Sequence, residues 1–158
     1  MEIFEALARA RSALLEAIAG LDEDAMERKG VVGEWSVKNV LAHIAAWESW
    51  VVQSLPTRLE TGRTPDALRA RVADEDRYNA EEVAEREELT ASEQLIELER
   101  TREALLEYLH GLDTATWERR GLWDTWAGTL AEYLHEAQVA HDEEHIVGLR
   151  AAAEQLRG

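Results

Sequence analysis

Two stretches of the chain repeat each other, and this repeat limits the possible folds more than any other feature of the sequence. Residues 11–35 and 102–126 align without gaps at an offset of 91, and 12 of the 25 aligned residues are identical. Each stretch reads as the end of a helix, a Gly-Leu-Asp turn, a Glu-Arg-basic-Gly loop and a tryptophan before the next helix. Two such helical hairpins, related by an approximate twofold axis, are predicted to pack into one four-helix bundle.

Apolar residues recur at helical spacing in four blocks of the chain. Ser36 is a natural N-cap for the second block, and capping-box patterns begin at Thr90 and Thr129. The pattern at Thr90 predicts a break near residue 89, with a short helix before it and a longer one after it. The segment 55–73 holds both prolines and Gly62, and is predicted to be a long crossover connection with short helical pieces. The four blocks cover about 3–19, 36–54, 76–109 and 129–155.

Composition agrees with a single all-α domain that spans residues 1–158. Prolines and glycines are few, and the stretches between them are rich in Ala, Leu, Glu and Arg, which are strong helix formers. Hydrophobic residues make up 46% of the chain, which is enough for a packed core in a domain of this length. The chain has no cysteine, which excludes a disulfide framework, a thiolate nucleophile and a thiolate metal site.

The charge of the chain excludes some partners. Its 17 basic and 33 acidic residues give a net charge of −16, which repels phosphate backbones, and no local basic patch interrupts it. No apolar run approaches the roughly 18 residues of a membrane span. The first residues also lack the apolar core of a signal peptide. We therefore expect a soluble, cytoplasmic protein with neither a nucleic-acid nor a membrane partner.

Three of the five histidines form a candidate metal site. His141 and His145 are four residues apart, so they lie on one face of a helix, one turn from each other. His43 lies in a strongly apolar part of the second block, where a lone histidine is more often a core residue than a ligand. Packing of the fourth helix near the second would bring all three together, and three ligands leave coordination positions open for water or substrate.

The residues around these histidines resemble a known family. The segment 33–48, GEWSVKNVLAHIAAWE, with the downstream His141-x-x-x-His145-Ile146, resembles the DinB/YfiT-like superfamily, and the resemblance covers essentially the whole chain. The segment 76–79 also resembles a stretch before the third helix of many members. The resemblance implies a four-helix bundle with a three-histidine site for one divalent metal ion. It places His43 on the second helix and His141 and His145 on the fourth, as metal ligands.

The same resemblance implies a function. Characterised relatives include S-transferases and isomerases that use mycothiol or bacillithiol, and hydrolase-like detoxification proteins. The leading hypothesis is a metal-dependent enzyme that acts on a small electrophilic substrate, as a thiol S-transferase or a hydrolase. An external low-molecular-weight thiol is a candidate second cofactor, since the chain has none of its own. The family also implies a homodimer.

Other interpretations of the histidines remain open. The protein is alternatively a non-catalytic protein that binds a metal or a small ligand, or a structural helical dimer. The residues do not choose between zinc, nickel, iron and manganese, because imidazole suits several of these metals. They identify no catalytic residue and no substrate. No Ser-His-Asp arrangement and no Gly-rich phosphate loop is present.

Helical spacing nominates the neighbours of the candidate site. Gln138 lies three residues before His141, where it is placed to orient a ligand or a substrate. Asn39, Trp47 and Trp50 lie at −4, +4 and +7 from His43, and the two tryptophans are candidates for the wall of an apolar pocket. Core packing is the alternative for both. Asn79 is assigned either to a hydrogen bond near the site or to a helix N-terminus.

Three further residues on the fourth helix have two interpretations each. Asp142 and Glu144 flank the proposed ligands, where a carboxylate can accept an imidazole N–H or act as a general base. On so acidic a chain we expect both to face solvent. Gly148 either lets another backbone approach closely or only weakens the helix. His110 and His135 lie off the spacing of the proposed ligands and are assigned no role.

Overall fold

The structure, a computed structural model, describes all residues from Met1 to Gly158 and confirms the all-α prediction. The last helix of the bundle is continuous, because α8 runs through a π-helical turn into α9. The bounds are α1 Glu2–Ala17, α2 Glu23–Glu27, α3 Val37–Thr61, α4 Asp66–Arg71, α5 Glu75–Glu85, α6 Ala91–His110, α7 Thr114–Glu118, α8 Leu130–Leu134, the π-helical turn His135–Val139 and α9 Ala140–Arg157.

Four long helices form the bundle: α1, α3, α6 and the continuous helix α8–α9. The helix α3 packs against α6 and α9, and α1 packs against α9. Since α3 contacts neighbours on several sides, most of its residues are buried, including Leu41, Ile44 and Leu55 at 1% exposure or less. The crossover between the two halves carries α4 and α5, and α5 lies against α3. None of the helices has both the length and the apolar character that crossing a lipid bilayer requires.

The structure confirms that the two halves repeat each other. Asp22 caps α2 by accepting a hydrogen bond from the N–H of Ala25 at 2.8 Å, and Asp113 caps α7 in the same way through Thr116 at 2.8 Å. An isolated β-bridge follows each short helix, between residues 32 and 35 and between residues 123 and 126. Each element thus recurs at the offset of 91, as the sequence repeat predicts.

A buried group of four charged side chains joins the two halves. Nε of Arg11 donates to Asp142 at 2.9 Å and its Nη2 donates to Glu48 at 3.2 Å. The equivalent residue Arg102 reverses this pattern, because its Nε donates to Glu48 at 2.8 Å and its Nη2 to Asp142 at 3.2 Å. Burial opposes the charge of Arg11, but the two carboxylates outweigh it and raise the pKa of the guanidinium. We call these four residues the ion-pair quartet.

The prediction that the second helix ends near Ser54 is wrong, because α3 continues to Thr61. It runs through Pro56, which lies on the exposed side of the helix. Leu55 and Arg58 lie on the buried side, so packing of this face stabilises the last turns although the proline lacks a hydrogen-bond donor. The helix ends at Gly62, whose φ of 73° is left-handed and whose N–H donates to the carbonyl of Arg58 at 2.9 Å.

The predicted helix starts are mostly correct. The Thr90 pattern forms a full capping box with Glu93, and the break before it separates α5 from α6, as predicted. The Thr129 pattern forms only half of one. Its hydroxyl accepts from the N–H of Glu132 at 3.2 Å, but the carboxylate of Glu132 instead accepts from Arg120 at 2.7 Å. The sequence pattern does not predict the π-helical turn that follows.

Candidate metal centre

The fold brings His43, His141 and His145 together, and we call them the histidine cluster. His43 is buried on α3, and the other two project from consecutive turns of α9. The Nε2 atom of His141 lies 3.0 Å from Nε2 of His43 and 3.2 Å from Nε2 of His145. The candidate ligand atoms of all three residues lie within 4.8 Å of one another. Three imidazole nitrogens therefore point at one small volume.

Burial keeps the histidine cluster neutral. Burial, together with the neighbouring imidazoles of His141 and His145, lowers the pKa of His43 from 6.5 to about 3. Burial and His145 lower the pKa of His141 to about 4, and burial also lowers the pKa of His145. Neutral imidazoles offer lone pairs near pH 7, which is the form that a metal ion binds.

Asn79 on α5 determines which nitrogen of His43 carries the proton. Nε1 of Trp47 can only donate, and it does so to Oδ1 of Asn79 at 2.7 Å. The same oxygen lies 3.0 Å from Nδ1 of His43 and can only accept, so Nδ1 carries the hydrogen. Nε2 of His43 then keeps its lone pair, directed at the histidine cluster. This is the usual arrangement behind a metal-binding histidine, in which a second residue orients the ring.

A cavity of about 480 Å³ opens beside the histidine cluster. Trp47, Trp50 and Tyr133 form one side of it, which we call the aromatic wall. Three exposed glutamates also line it, and we call them the acidic rim. These glutamates are Glu75, Glu136 and Glu144.

Most of the residues nominated from the sequence reach this cavity. Trp47, Trp50, Asn79 and Gln138 all line it, together with the histidine cluster. Asn39 does not line it. Its Oδ1 accepts from the N–H of Ser36 at 3.0 Å and completes a capping box. The amide of Asn39 therefore caps the start of α3.

The expectation that Asp142 faces solvent is wrong. Asp142 is only 1% exposed and belongs to the ion-pair quartet, where it accepts from Arg11 and Arg102. Its carboxylate has no hydrogen bond to an imidazole, so its role is structural. Glu144 is exposed, as expected, and belongs to the acidic rim.

The sequence reasoning missed Tyr133, Glu75 and Glu136 as cavity residues. In a regular α-helix, Glu136 would lie about 140° and Tyr133 about 80° around the helix from His141, since five and eight residues separate them from it at about 100° per residue. The π-helical turn at His135–Val139 takes up one extra residue and rotates both toward the face of His141. One feature of the sequence indicates the extra residue. The two acids of the ion-pair quartet have corresponding roles in the two halves, but Glu48 lies 12 residues after the N-cap Ser36, whereas Asp142 lies 13 residues after the N-cap Thr129.

Comparisons with known proteins agree with this fold. A model of the DinB superfamily matches residues 6–146, a range that contains the whole histidine cluster. Among solved structures, that of an uncharacterised protein from Escherichia coli UTI89 superposes with a TM-score of 0.77 and 15% sequence identity. The alignment covers 99% of this chain and 93% of that one, and at this identity it shows a shared fold alone. No curated protein sequence matches this chain. Because the family model spans nearly the whole sequence, the chain belongs to the DinB superfamily.

Proposed function

We propose that this protein is a metal-dependent enzyme that acts on a small electrophilic substrate. The observation that carries the proposal is the convergence of three neutral imidazole nitrogens beside a cavity large enough for a small molecule. His43, His141 and His145 would hold one divalent metal ion. Three protein ligands leave further coordination positions free, which is typical of catalytic and not of structural sites.

The residues fit such an ion. Nitrogen ligands suit zinc, nickel and iron in particular, and no cationic side chain lines the cavity to compete with the ion. When bound, the ion acts as a Lewis acid and lowers the pKa of a coordinated water or thiol. The chain has no cysteine, so transfer of sulfur to an electrophile requires an external low-molecular-weight thiol, whereas hydrolysis requires only water.

The surrounding side chains would bind and orient the reactants. Asn79 holds the ring of His43 in one orientation through its hydrogen bond to Nδ1. The aromatic wall offers apolar surface to a substrate and displaces water from it. Trp47 is itself held in place, because its ring packs edge-on against Tyr78 at 4.7 Å and its N–H bonds Asn79. This side of the cavity is therefore formed before a ligand arrives.

The first experiment measures metal content by elemental analysis of protein purified without an affinity tag. Wild type is expected to hold about one equivalent of a divalent metal, as three-histidine sites do. His43→Ala and the double variant His141→Ala/His145→Ala should lose it while circular dichroism shows intact helices. His135→Ala is the control, since this histidine is exposed and outside the cluster. Absence of metal from wild type after incubation with zinc, nickel and iron would overturn the proposal.

The second experiment separates the two activities and the non-catalytic alternative. The metal-loaded protein is incubated with a panel of electrophiles and esters, with and without an added thiol. Turnover only in the presence of thiol supports an S-transferase, and turnover without it supports a hydrolase. A loaded protein that binds these compounds but turns over none of them supports the binding-protein alternative.

A further inference from the structure

Arg58 is a buried cation that has no carboxylate partner. It is 7% exposed and forms no ion pair, whereas buried charged side chains in proteins are normally paired. Its guanidinium instead lies over three aromatic rings, at 4.8 Å from the ring centre of Trp50, 4.6 Å from that of Trp123 and 5.5 Å from that of Tyr133. These rings attract a cation through their electron-rich faces. Arg58 does not itself line the cavity, so its charge lies behind the aromatic wall.

The hydroxyl of Tyr133 accepts a hydrogen bond from this cation. Nη1 of Arg58 donates to the phenol oxygen at 2.9 Å, and this is the only hydrogen bond of that hydroxyl within the protein. The proton of the hydroxyl therefore has no acceptor, whereas the hydroxyl of Tyr78 donates its proton to the carbonyl of Ala46 at 2.9 Å. A hydroxyl whose oxygen accepts from a cation is also a stronger donor than one without such a partner.

Tyr133 keeps this proton near neutral pH and holds its ring in one place. Burial raises the pKa of the phenol above its ordinary value of 10, although the charge of Arg58 opposes this shift. The ring packs edge-on against Trp123 at 4.8 Å and against Trp126 at 5.5 Å. Tyr133 is therefore a fixed hydrogen-bond donor in the wall of the cavity.

The internal repeat divides the cavity into two halves. An offset of 94 relates the two acids of the ion-pair quartet, Glu48 and Asp142. The same offset pairs each member of the histidine cluster with an apolar residue that lines the cavity: His43 with Ala137, His141 with Trp47, and His145 with Val51. One half of the cavity thus carries imidazoles, and its twofold counterpart carries apolar side chains. Tyr133 lies eight residues before His141, a rise of roughly 12 Å along the helix, so it contacts a different part of a ligand than the histidine cluster does.

We propose that Tyr133 determines specificity by donating its hydroxyl hydrogen to an oxygen acceptor on an aromatic part of the substrate. The apolar half of the cavity binds the ring, and the acceptor, a carbonyl in the simplest case, lies against the hydroxyl. Arg58 is a positioning residue, because its hydrogen bond to the phenol oxygen leaves the O–H free to turn to the ligand. This inference rests on the proposed function, in which the same substrate reacts at the histidine cluster.

The test compares two probes of the same shape, acetophenone and α-methylstyrene. They differ only in that a C=CH2 group of the second replaces the C=O group of the first. Their affinities are measured from the indole N–H resonances of Trp47 and Trp50, for full-length protein loaded with metal and after treatment with EDTA. The ratio of the two affinities should favour acetophenone about fivefold more in wild type than in Tyr133→Phe, as the loss of one hydrogen bond predicts.

An infrared spectrum of bound acetophenone detects the same hydrogen bond directly. A donor at the oxygen weakens the C=O bond, so the stretching band should lie at a lower frequency in wild type than in Tyr133→Phe. A tyrosine that only supports Arg58 would change stability, which urea denaturation measures, and would leave this band unchanged. Tyr108→Phe is the control, because Tyr108 is half-buried and does not line the cavity, and it should keep the ratio and the band of wild type.

A second variant tests the role of Arg58. Arg58→Met removes the charge and the hydrogen bond but keeps an unbranched side chain between the rings. It should lower the preference for acetophenone about twofold, because the hydroxyl is then a weaker donor. In the Tyr133→Phe background the same substitution should have no effect on the ratio, since Arg58 acts through the hydroxyl. If Arg58→Met fails to fold, Tyr133→Phe alone decides.

The outcomes separate this inference from the proposed function. A protein that holds no metal but prefers acetophenone through Tyr133 overturns the proposed function alone. A metal-loaded protein in which Tyr133→Phe keeps both the affinity ratio and the C=O band of wild type overturns the inference alone. Acetophenone that leaves the resonances of Trp47 and Trp50 unchanged up to its solubility also overturns the inference, because the apolar half of the cavity then binds no aromatic ring.

Discussion

Asn79 and His43 are joined by a hydrogen bond of 3.0 Å between Oδ1 and Nδ1. Asn79 lies on α5, in the crossover between the two halves of the chain, whereas His43 lies on α3. The crossover therefore does more than connect the two hairpins. It supplies the residue that orients one of the three histidines, and it does so together with Trp47, which donates to the same oxygen at 2.7 Å.

Removing this oxygen should weaken metal binding without unfolding the protein. Asn79→Ala leaves the N–H groups of His43 and Trp47 without an acceptor, and frees the imidazole to rotate. We expect metal affinity to fall about 10- to 100-fold, as for other outer residues that orient a metal ligand. Asn79→Asp keeps an acceptor for both groups and should bind metal at least as tightly as wild type. Competition with a chromogenic chelator measures the three affinities.

One result from the Asn79 variants would contradict this prediction. If Asn79→Ala binds metal as tightly as wild type, the orientation of His43 is determined by packing in α3 and not by this hydrogen bond. Gln53→Ala is a suitable control, because the Gln53 amide is exposed and bonds only Ser49 on the same helix. It should leave metal affinity unchanged.

Asp142 should matter for stability and not for the metal. Asp142→Asn removes one charge from the ion-pair quartet and leaves two buried arginines with a single carboxylate. Breaking a buried ion pair in this way costs about 3–5 kcal/mol, so we expect a loss near the lower figure in the free energy of unfolding. Urea denaturation measures it. Glu143→Gln, the adjacent exposed substitution, should change this free energy by no more than about 0.5 kcal/mol.

Metal affinity distinguishes a structural role for Asp142 from a role in orienting an imidazole of the histidine cluster. If the carboxylate oriented an imidazole, Asp142→Asn would lower metal affinity at temperatures where the variant is folded. The structure places it against Arg11 and Arg102, so we expect the metal affinity of the folded variant to match that of wild type.

Without metal, the stability of the protein should fall as the pH is lowered below 6.5. The pKa of His43 falls to about 3 and that of His141 to about 4 in the folded state, while both are near 6.5 when unfolded. Between pH 6.5 and about 4, the unfolded chain binds protons that the folded chain does not, so its population rises. Above pH 6.5 this contribution is constant. The loss is on the order of 2–5 kcal/mol, since a tenfold difference in proton affinity between the folded and unfolded states corresponds to about 1.4 kcal/mol.

Urea denaturation in the presence of EDTA, from pH 7 to pH 4.5, measures this loss. His43→Gln removes the histidine with the lowest pKa and should have a shallower dependence on pH over this range. His135→Gln is the control, because that residue is exposed and lies outside the histidine cluster, and it should follow wild type. If wild type and His43→Gln have the same slope, carboxylates and not the histidine cluster determine the pH dependence.

Local patterns are enough to predict the elements that position the cluster. The spacing of His141 and His145 requires one helical face, and Ser36 marks the start of the helix that carries His43. The repeat at an offset of 91 predicts the two hairpins, because the aspartate of each Gly-Leu-Asp turn is a favoured N-cap and caps the next helix in both halves. These features depend on neighbours within a few residues, which a sequence displays directly.

Features that depend on packing cannot be read from the sequence. The residues next to Asp142 in the sequence do not indicate that Arg11 and Arg102 pair with its carboxylate. Its charge alone therefore predicts exposure to solvent. A proline such as Pro56 predicts the end of a helix. The sequence pattern does not show that Leu55 and Arg58 are buried beside it, and this burial stabilises the helix beyond the proline. The π-helical turn adds one residue to a helix whose apolar spacing looks regular, and this residue turns Glu136 and Tyr133 closer to the face of His141.

Gly148 offers a way to stabilise the protein close to the candidate site. It lies inside α9, where glycine is about 0.5–1 kcal/mol less favourable than alanine. A Cβ added there would meet only Cγ1 of Val32, at 3.7 Å, which is an ordinary van der Waals contact. The glycine therefore weakens the helix without permitting a close backbone approach. Gly148→Ala should raise the free energy of unfolding by about 0.5–1 kcal/mol.

The matched substitution at Gly30 should have the opposite sign. Gly30 also has free space around it, but its φ of 81° is left-handed, where a side chain is strained. Gly30→Ala should therefore lower the free energy of unfolding by about 1–2 kcal/mol. Urea denaturation of both variants tests the pair, and metal content should stay unchanged in Gly148→Ala because this residue does not line the cavity. A destabilised Gly148→Ala would contradict this reasoning, because the contact with Val32 at 3.7 Å leaves room for the methyl group.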